Sequence, residues 1–132
     1  MNIKTTTLSA VAAASLALSA LIPTQAVAND AFAQSLCGYV AADDPGRLRK
    51  KLKENKLRLR KVYDDILCDG SSMLKFAIEK GSVGAGEFIT KKLPKKSLTK
   101  SGPDGWVILE WAESKGHADS AIVTAIRSRI AG

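Results

Sequence analysis

The sequence predicts a mainly α-helical fold, a small domain built from helical hairpins. The clearest indication is an internal repeat, in which residues 69–81 align without gaps on residues 104–116 with six of 13 positions identical. A period of 35 residues is typical of stacked supersecondary units. Apolar residues also recur at helical spacing in both copies and in the segments after them. The chain is long enough to bury one core.

The N-terminus predicts a secretory signal peptide over residues 1–28. Lys4 precedes the apolar run Leu8–Ile22, and small residues lead up to Ala28. A membrane span needs about 20 apolar residues, whereas this run has 15 and includes three serines. We therefore expect cleavage after Ala28, no transmembrane segment in the mature chain (residues 29–132), and a periplasmic or secreted location.

Positive charge is concentrated in one part of the chain. The 20 Lys and Arg residues outnumber the 13 Asp and Glu residues, giving +7, and only Lys4 leaves with the signal peptide. Residues 47–61 (RLRKKLKENKLRLRK), the basic segment, contain nine bases and one acid. The rest of the mature chain sums to −2. The composition therefore predicts a nearly neutral scaffold with one basic segment.

Cys37 and Cys68 are the only cysteines, and both lie in the mature chain. An even number of cysteines in an exported protein favours a disulfide. Two separate buried thiols are the alternative. A zinc site would need about four ligands, and the single histidine lies 49 residues beyond Cys68. A thioredoxin-like redox pair would need a C-x-x-C spacing, which these residues lack.

Each copy of the repeat predicts a turn followed by a helix. An Asp-Gly pair opens the copy, and glycine suits the positive φ of such a turn. An apolar stripe at helical spacing follows, and a second glycine ends the helix. The corresponding features are Asp69-Gly70, Met73 to Ala77 and Gly81 in the first copy, and Asp104-Gly105, Ile108 to Ala112 and Gly116 in the second.

A second amphipathic segment follows each terminal glycine, Val83–Leu93 in the first unit and Ala118–Ile130 in the second. Each unit therefore predicts a helical hairpin. Gly84 and Gly86 lower the helix propensity of the first of these segments by about 1 kcal/mol each relative to alanine.

The second copy resembles the ankyrin repeat, because Asp104-Gly105 through Gly116-His117 partly meets the pattern D-G-x-T-P-L-H-x-A-x-x-x-G-H. Leu36–Leu52 looks like a degenerate first repeat, so the resemblance covers most of residues 34–130. Neither copy has the T-P-L-H core. The resemblance implies ankyrin-like stacking, and a differently packed small helical domain is the alternative.

Residues 32–90 are also similar to a domain-of-unknown-function family of short secreted bacterial proteins. That family has a Cys near its start and a Cys-[Asp/Asn]-Gly element after a basic Leu-Arg stretch, matched here by Cys37 and Cys68-Asp69-Gly70. The resemblance implies no activity.

The basic segment predicts a helix that changes to another conformation. Asp44 before Pro45 is a good helix start, and Leu48 and Leu52 fall on one face. From residue 57 the pattern Leu-Arg-Leu-Arg has period two, which predicts an extended piece near 57–62 with its leucines inward.

We expect the basic segment to bind a protein partner or an acidic envelope component, such as lipid phosphates or acidic glycans. The forked donors of arginine match the oxygens of phosphates and carboxylates. The alternative is that the basic segment is only a solvated helix face. Few aromatic residues lie nearby, so nucleic acid is not an expected partner. The predicted contact residues are Arg47, Arg49, Lys50, Lys53, Arg58, Arg60 and Lys61, with the turn residue Trp106 as an exposed apolar contact. Lysines at 91, 92, 95, 96 and 100 form a second cluster that could extend the surface.

The chain lacks the common catalytic motifs G-x-S-x-G, H-E-x-x-H and a phosphate-binding glycine loop. His117 follows a helix-ending glycine, which predicts a structural role, and the adjacent pair Asp64-Asp65 is typical of a turn. The leading hypothesis is an exported, non-enzymatic protein-interaction module that needs no cofactor or metal. The second is an electrostatic binder of envelope anions, and the third is a small hydrolase or toxin-like enzyme.

Overall fold

The computed structural model describes the backbone of residues 24–132 and the side chains of residues 30–132. This part of the chain is mainly helical and contains no β-strand, which confirms the predicted fold class. The helices are α1 (Thr24–Ala41), α2 (Pro45–Glu54), α3 (Leu59–Val62), α4 (Met73–Lys80), α5 (Val83–Lys92), α6 (Lys95–Thr99), α7 (Ile108–Ser114) and α8 (Ala121–Ala131). The apolar run of the predicted signal peptide lies outside the described residues.

The first hairpin pairs α1 with α2. The side chain of Asp44 accepts a hydrogen bond from the backbone N–H of Arg47, and Pro45 occupies the first helical position, as predicted. Leu48 and Leu52 are buried on the inner face of α2. The start of α2 therefore follows directly from its local sequence.

The predicted extended segment near 57–62 is wrong from Leu59 onward. Residues 59–62 form the short helix α3, which continues into a 3₁₀ turn at Tyr63–Asp65. Leu59, Tyr63 and Ile66 are all buried, at the i, i+4, i+7 spacing of a helix face. Leu57 was expected to point inward but is 37% exposed. The period-two alternation covered four residues only, and the longer helical pattern outweighs it.

The two copies of the repeat form the first helices of the next two hairpins, α4–α5 and α7–α8. Ser72 caps α4 by accepting a hydrogen bond from the N–H of Lys75. Gly81 ends α4 and Gly116 follows α7, both with positive φ, as predicted. Helix α6, which lies between these hairpins, was not predicted.

The three hairpins lie side by side. Helices α1, α4 and α7 are neighbours in that order, and so are α2, α5 and α8. Helices α5 and α8 pack closely, because a Cβ placed on Gly86 would lie 2.5 Å from Ile122 Cδ1. Glycine at position 86, expected to cost helix propensity, thus allows these two helices to pack closely.

Two aspartates hold the hairpins together across their turns. Asp43, at the α1–α2 turn, accepts a hydrogen bond of 2.8 Å from the N–H of Ala85 at the start of α5. Asp104 has a 4% exposed side chain and accepts from the N–H of Ser72 at the start of α4. Lys75 also lies 3.9 Å from the Asp104 carboxylate. Each carboxylate therefore satisfies a helix N-terminus in the adjacent hairpin.

A disulfide links Cys37 of α1 to Cys68, as predicted. The backbone of Cys68 forms a β-bridge with Ser71 across the Asp69-Gly70 turn. The disulfide therefore joins the first hairpin to the turn that begins the second. The hairpins share one contiguous apolar core. No helix in residues 24–132 is both long enough and apolar enough to span a membrane.

Candidate functional site

The C-terminus of α2 redirects the basic segment and creates a cleft. The N–H of Leu57 donates to the carbonyl of Leu52, and the N–H of Lys56 donates to the carbonyl of Lys53. These bonds form a Schellman motif, with Lys56 in the left-handed conformation at φ 54°. The positions that usually make the apolar contact of this motif are Leu52 and Leu57, both of which line the cleft. The chain reversal places residues 57–60 beside α2.

Three chain segments border this basic cleft, which has a volume of about 350 Å³. They are α2, residues 57–60, and the C-terminal half of α5. Each segment contributes at least one cation and at least one apolar side chain. The cations are Arg49, Lys53, Arg58, Arg60 and Lys92, and the apolar residues are Leu52, Leu57, Leu59 and Phe88.

The cleft is uniformly cationic, because no Asp or Glu lines it. None of its five cations forms an ion pair within 4 Å of an acidic side chain in residues 30–132. By contrast, Arg47 lies 3.4 Å from Asp44, and Lys50 lies 3.9 Å from Glu54. The four cleft cations of the basic segment thus have no acidic partner, unlike Arg47 and Lys50 outside the cleft.

Phe88 positions two of these cations. The guanidinium carbon of Arg49 lies 5.2 Å from the centre of the Phe88 ring, and Lys92 Nζ lies 5.8 Å from it. Both distances are within the range of cation–π attraction. The ring is 8% exposed and anchored in the core. It therefore holds an arginine from α2 and a lysine from α5 at the edge of the same cleft.

This arrangement can bind an anion that also carries apolar surface. Arginine offers forked donors to carboxylate or phosphate oxygens, and the apolar floor excludes water from part of a bound group. Nearby cations with no internal counterion create a positive potential that raises the association rate of acidic ligands. The chemistry available here is recognition of an amphipathic anion.

The structure separates the contact residues predicted from sequence. Four of them, Arg49, Lys53, Arg58 and Arg60, line the basic cleft. The other cations, Arg47, Lys50 and Lys61, are exposed but do not line it, and Arg47 and Lys50 lie beside Tyr39 and Glu54. Trp106 is 45% exposed, as expected for a contact residue, yet it lies beyond α6 and outside the cleft.

Five cleft residues were not among the predicted contacts: three leucines of the basic segment, and Phe88 and Lys92 from α5. Phe88 was assigned to the apolar stripe of α5, and Lys92 belonged to the second lysine cluster that could extend the surface. Their i, i+4 spacing on α5 placed them on one face. The packing of α5 against α2 then brings that face to the basic segment, a relation that the sequence of α5 alone does not contain.

The residues considered for catalysis have structural contacts. The ring of His117 stacks on Trp111, with 5.2 Å between the ring centres. Asp64 pairs with Lys100 at 3.0 Å, and Asp65 is exposed at the end of the 3₁₀ turn. Among residues 30–132, no group of three His, Cys, Asp or Glu side chains is placed to hold a metal ion.

Comparison with known families matches residues 36–100 to the model described as "Protein of unknown function (DUF3718)". This stretch, just under half of the chain, is similar to that family of unknown function. The matched residues include both cysteines and every residue that lines the basic cleft, whereas Trp106, α7 and α8 lie beyond them. Neither the curated proteins nor the solved structures gave a significant match to the chain.

Proposed function

We propose that the protein is an exported, non-enzymatic interaction module that binds an acidic region of a partner protein in its basic cleft. The observation that carries the proposal is the set of five cleft cations without an acidic partner, placed around an apolar floor. A purely solubilising charged face would not need an apolar cleft at its centre. The Phe88 ring also fixes Arg49 and Lys92 before binding, which reduces the entropy lost on association.

The disulfide supports the exported location that is part of this proposal. The Cys37–Cys68 bond is compatible with an oxidising extracellular or periplasmic environment. The N-terminal sequence supports cleavage after Ala28 and a periplasmic or secreted mature chain. Ankyrin-like stacking of the hairpins is part of the same proposal, and the ordered neighbours α1, α4, α7 and α2, α5, α8 support it.

The proposal is tested by capturing partners from envelope extract with the tagged mature chain at low and high salt. We expect a partner whose retention weakens at high salt but persists, because screening removes the electrostatic contribution and leaves the apolar one. Charge reversal to glutamate at Arg49, Lys53, Arg58 and Arg60 should abolish capture. A matched control with the same change in net charge reverses the exposed residues Lys61, Lys91, Lys96 and Lys115, outside the cleft.

Capture that survives the cleft reversal would contradict the site, and complete release at high salt would favour the alternative, an electrostatic binder of lipid phosphates or acidic glycans. The uncharged cleft floor favours the protein partner over that alternative. A hydrolytic activity lost on substitution of His117, Asp64 and Asp65 together would contradict the non-enzymatic proposal.

A further inference from the structure

We infer that the ligand of the basic cleft is a short acidic peptide segment whose carboxylates flank a single apolar side chain. This inference rests on the proposed function and specifies the chemistry of the partner. It follows from the combination of cations and apolar side chains that line the cleft.

Cations border the cleft from three separate chain segments. Arg49 and Lys53 come from α2, Arg58 and Arg60 from the loop and α3, and Lys92 from α5. Each segment that borders the cleft therefore supplies positive charge to it. A ligand that satisfies five cations needs several anionic groups.

The floor between these cations is apolar. Leu52, Leu59 and Phe88 are at most 8% exposed, whereas Leu57 is 37% exposed and available for contact. Covering the exposed apolar surface of Leu57 with a ligand lowers the free energy of the complex. The ligand should therefore place an apolar side chain between its anionic groups.

The chemistry of the cleft favours a peptide over a lipid. Its volume of about 350 Å³ lies near the lower end of the range for ligand sites, which suits one apolar side chain with its flanking backbone. A phospholipid carries its charge at one end, whereas all three segments that border the apolar floor supply cations here.

The test uses fluorescence anisotropy with three defined probes. The first is a labelled peptide in which four glutamates flank one central leucine, and the second has serine in place of that leucine. The third is a labelled peptide in which glutamines replace the glutamates around the leucine. We expect the first peptide to bind about tenfold tighter than the second, the size expected from burial of one leucine side chain, and the glutamine peptide not to bind. Vesicles containing phosphatidylglycerol serve as a separate arm.

Leu57→Ser should reduce the preference for the leucine peptide over the serine peptide to less than about twofold, because the exposed Leu57 side chain supplies the apolar contact. Val83→Ser is the matched control, since Val83 is 38% exposed and lies outside the cleft; it should change neither affinity.

Each contrary result has a separate meaning. Equal binding of the leucine and serine peptides overturns this inference and leaves the acidic-partner proposal standing. Failure of both acidic peptides, or binding of the vesicles alone, overturns the proposed function as well.

Discussion

Gly86 is a residue at which the absence of a side chain determines how two helices pack. A Cβ at this position would lie 2.5 Å from Ile122 Cδ1 and 2.6 Å from Ile122 Cγ1, inside the core. We expect Gly86→Ala to lower the free energy of unfolding by about 1–3 kcal/mol, because overpacking displaces α8. Urea denaturation of the mature chain measures this.

Gly38→Ala is the matched control for that change. Gly38 lies within α1, and a Cβ there would meet nothing within 4 Å. Alanine should therefore raise the free energy of unfolding by about 0.5–1 kcal/mol through helix propensity. If both substitutions changed stability in the same direction, the close packing of α5 on α8 would be contradicted.

Tyr63 makes stability depend on alkaline pH. Burial raises the pKa of its hydroxyl from 10.0 to about 12. The folded state therefore keeps its proton when the unfolded state loses it, and this stabilisation is complete below pH 10 and is lost as the pH rises toward 12. Between pH 9 and 11, we expect Tyr63 to account for a loss of about 1–1.5 kcal/mol.

The measurement is urea denaturation of the wild type and Tyr63→Phe at several pH values between 9 and 11. The phenylalanine variant cannot ionise, so its stability should fall less over this range than that of the wild type. Parallel curves for the two proteins would show that Tyr63 ionises equally easily in both states, contrary to its burial.

At the scale of elements, α2 ends unusually. The ends of α4 and α7 place Gly81 and Gly116 at the left-handed position, whereas α2 places Lys56 there, at φ 54°. Left-handed backbone costs a non-glycine residue about 1 kcal/mol. We expect Lys56→Gly to raise the free energy of unfolding by about that amount, measured by urea denaturation.

Lys56→Ala provides the control, because it removes the same charge but keeps the strained conformation, and it should not stabilise the protein. Equal gains from both substitutions would assign the effect to charge and contradict the strain at this turn. Lys56 does not line the cleft, so neither change should alter peptide binding.

The sequence predicted those elements whose signals are local. The Asp44-Pro45 start of α2 and the glycine ends of α4 and α7 depend on a few adjacent residues, and the structure confirms them. The conformation of residues 59–62 does not depend on adjacent residues alone. The burial of Tyr63 and Ile66 determines which side of the chain faces the core. A four-residue alternation therefore gave the wrong prediction.

The cleft was predictable only in part for the same reason. The four cations from the basic segment were among the predicted contacts, but the meeting of Arg58 and Arg60 with Arg49 and Lys53 depends on the turn at Lys56. The part played by Phe88 depends on the packing of α5 against α2. Both depend on how parts of the chain that are separated in sequence pack together, which local sequence patterns do not show.

At the scale of the whole molecule, the disulfide connects α1 to the turn that precedes α4. It closes a loop with a sequence separation of 31 residues, for which chain entropy predicts a contribution of about 3–4 kcal/mol. We expect replacement of Cys37 and Cys68 by serine to lower the free energy of unfolding by this amount. Urea denaturation of the variant, beside the wild type with and without reductant, measures it.

Reduced wild type and the double-serine variant should agree in stability, because each lacks the same cross-link. A loss below about 1 kcal/mol in both would contradict a stabilising disulfide. Two titratable thiols in denatured, non-reduced protein from the native compartment would contradict the bond itself.

The fold determines where the positive charge of the molecule lies. Residues 47–61 supply more positive charge than residues 29–132 retain as a whole, and the turn after α2 brings Arg58 and Arg60 to the cleft that Arg49 also lines. Arg47 and Lys50 have acidic neighbours on one surface, whereas Arg49, Arg58 and Arg60 face the cleft without them. The cleft therefore presents a group of cations without acidic partners.

The most direct test of the central claim is an NMR titration that follows the arginine Nε–Hε signals of the mature chain. With the leucine-containing acidic peptide, we predict that the signals of Arg49, Arg58 and Arg60 shift together and saturate. The signal of Arg47, which pairs with Asp44 on the other surface, and that of Arg127, which pairs with Glu113, should stay unchanged. Equal shifts at Arg47 and the cleft arginines would contradict the account, because they would show binding to the basic segment as a whole and not to its cleft.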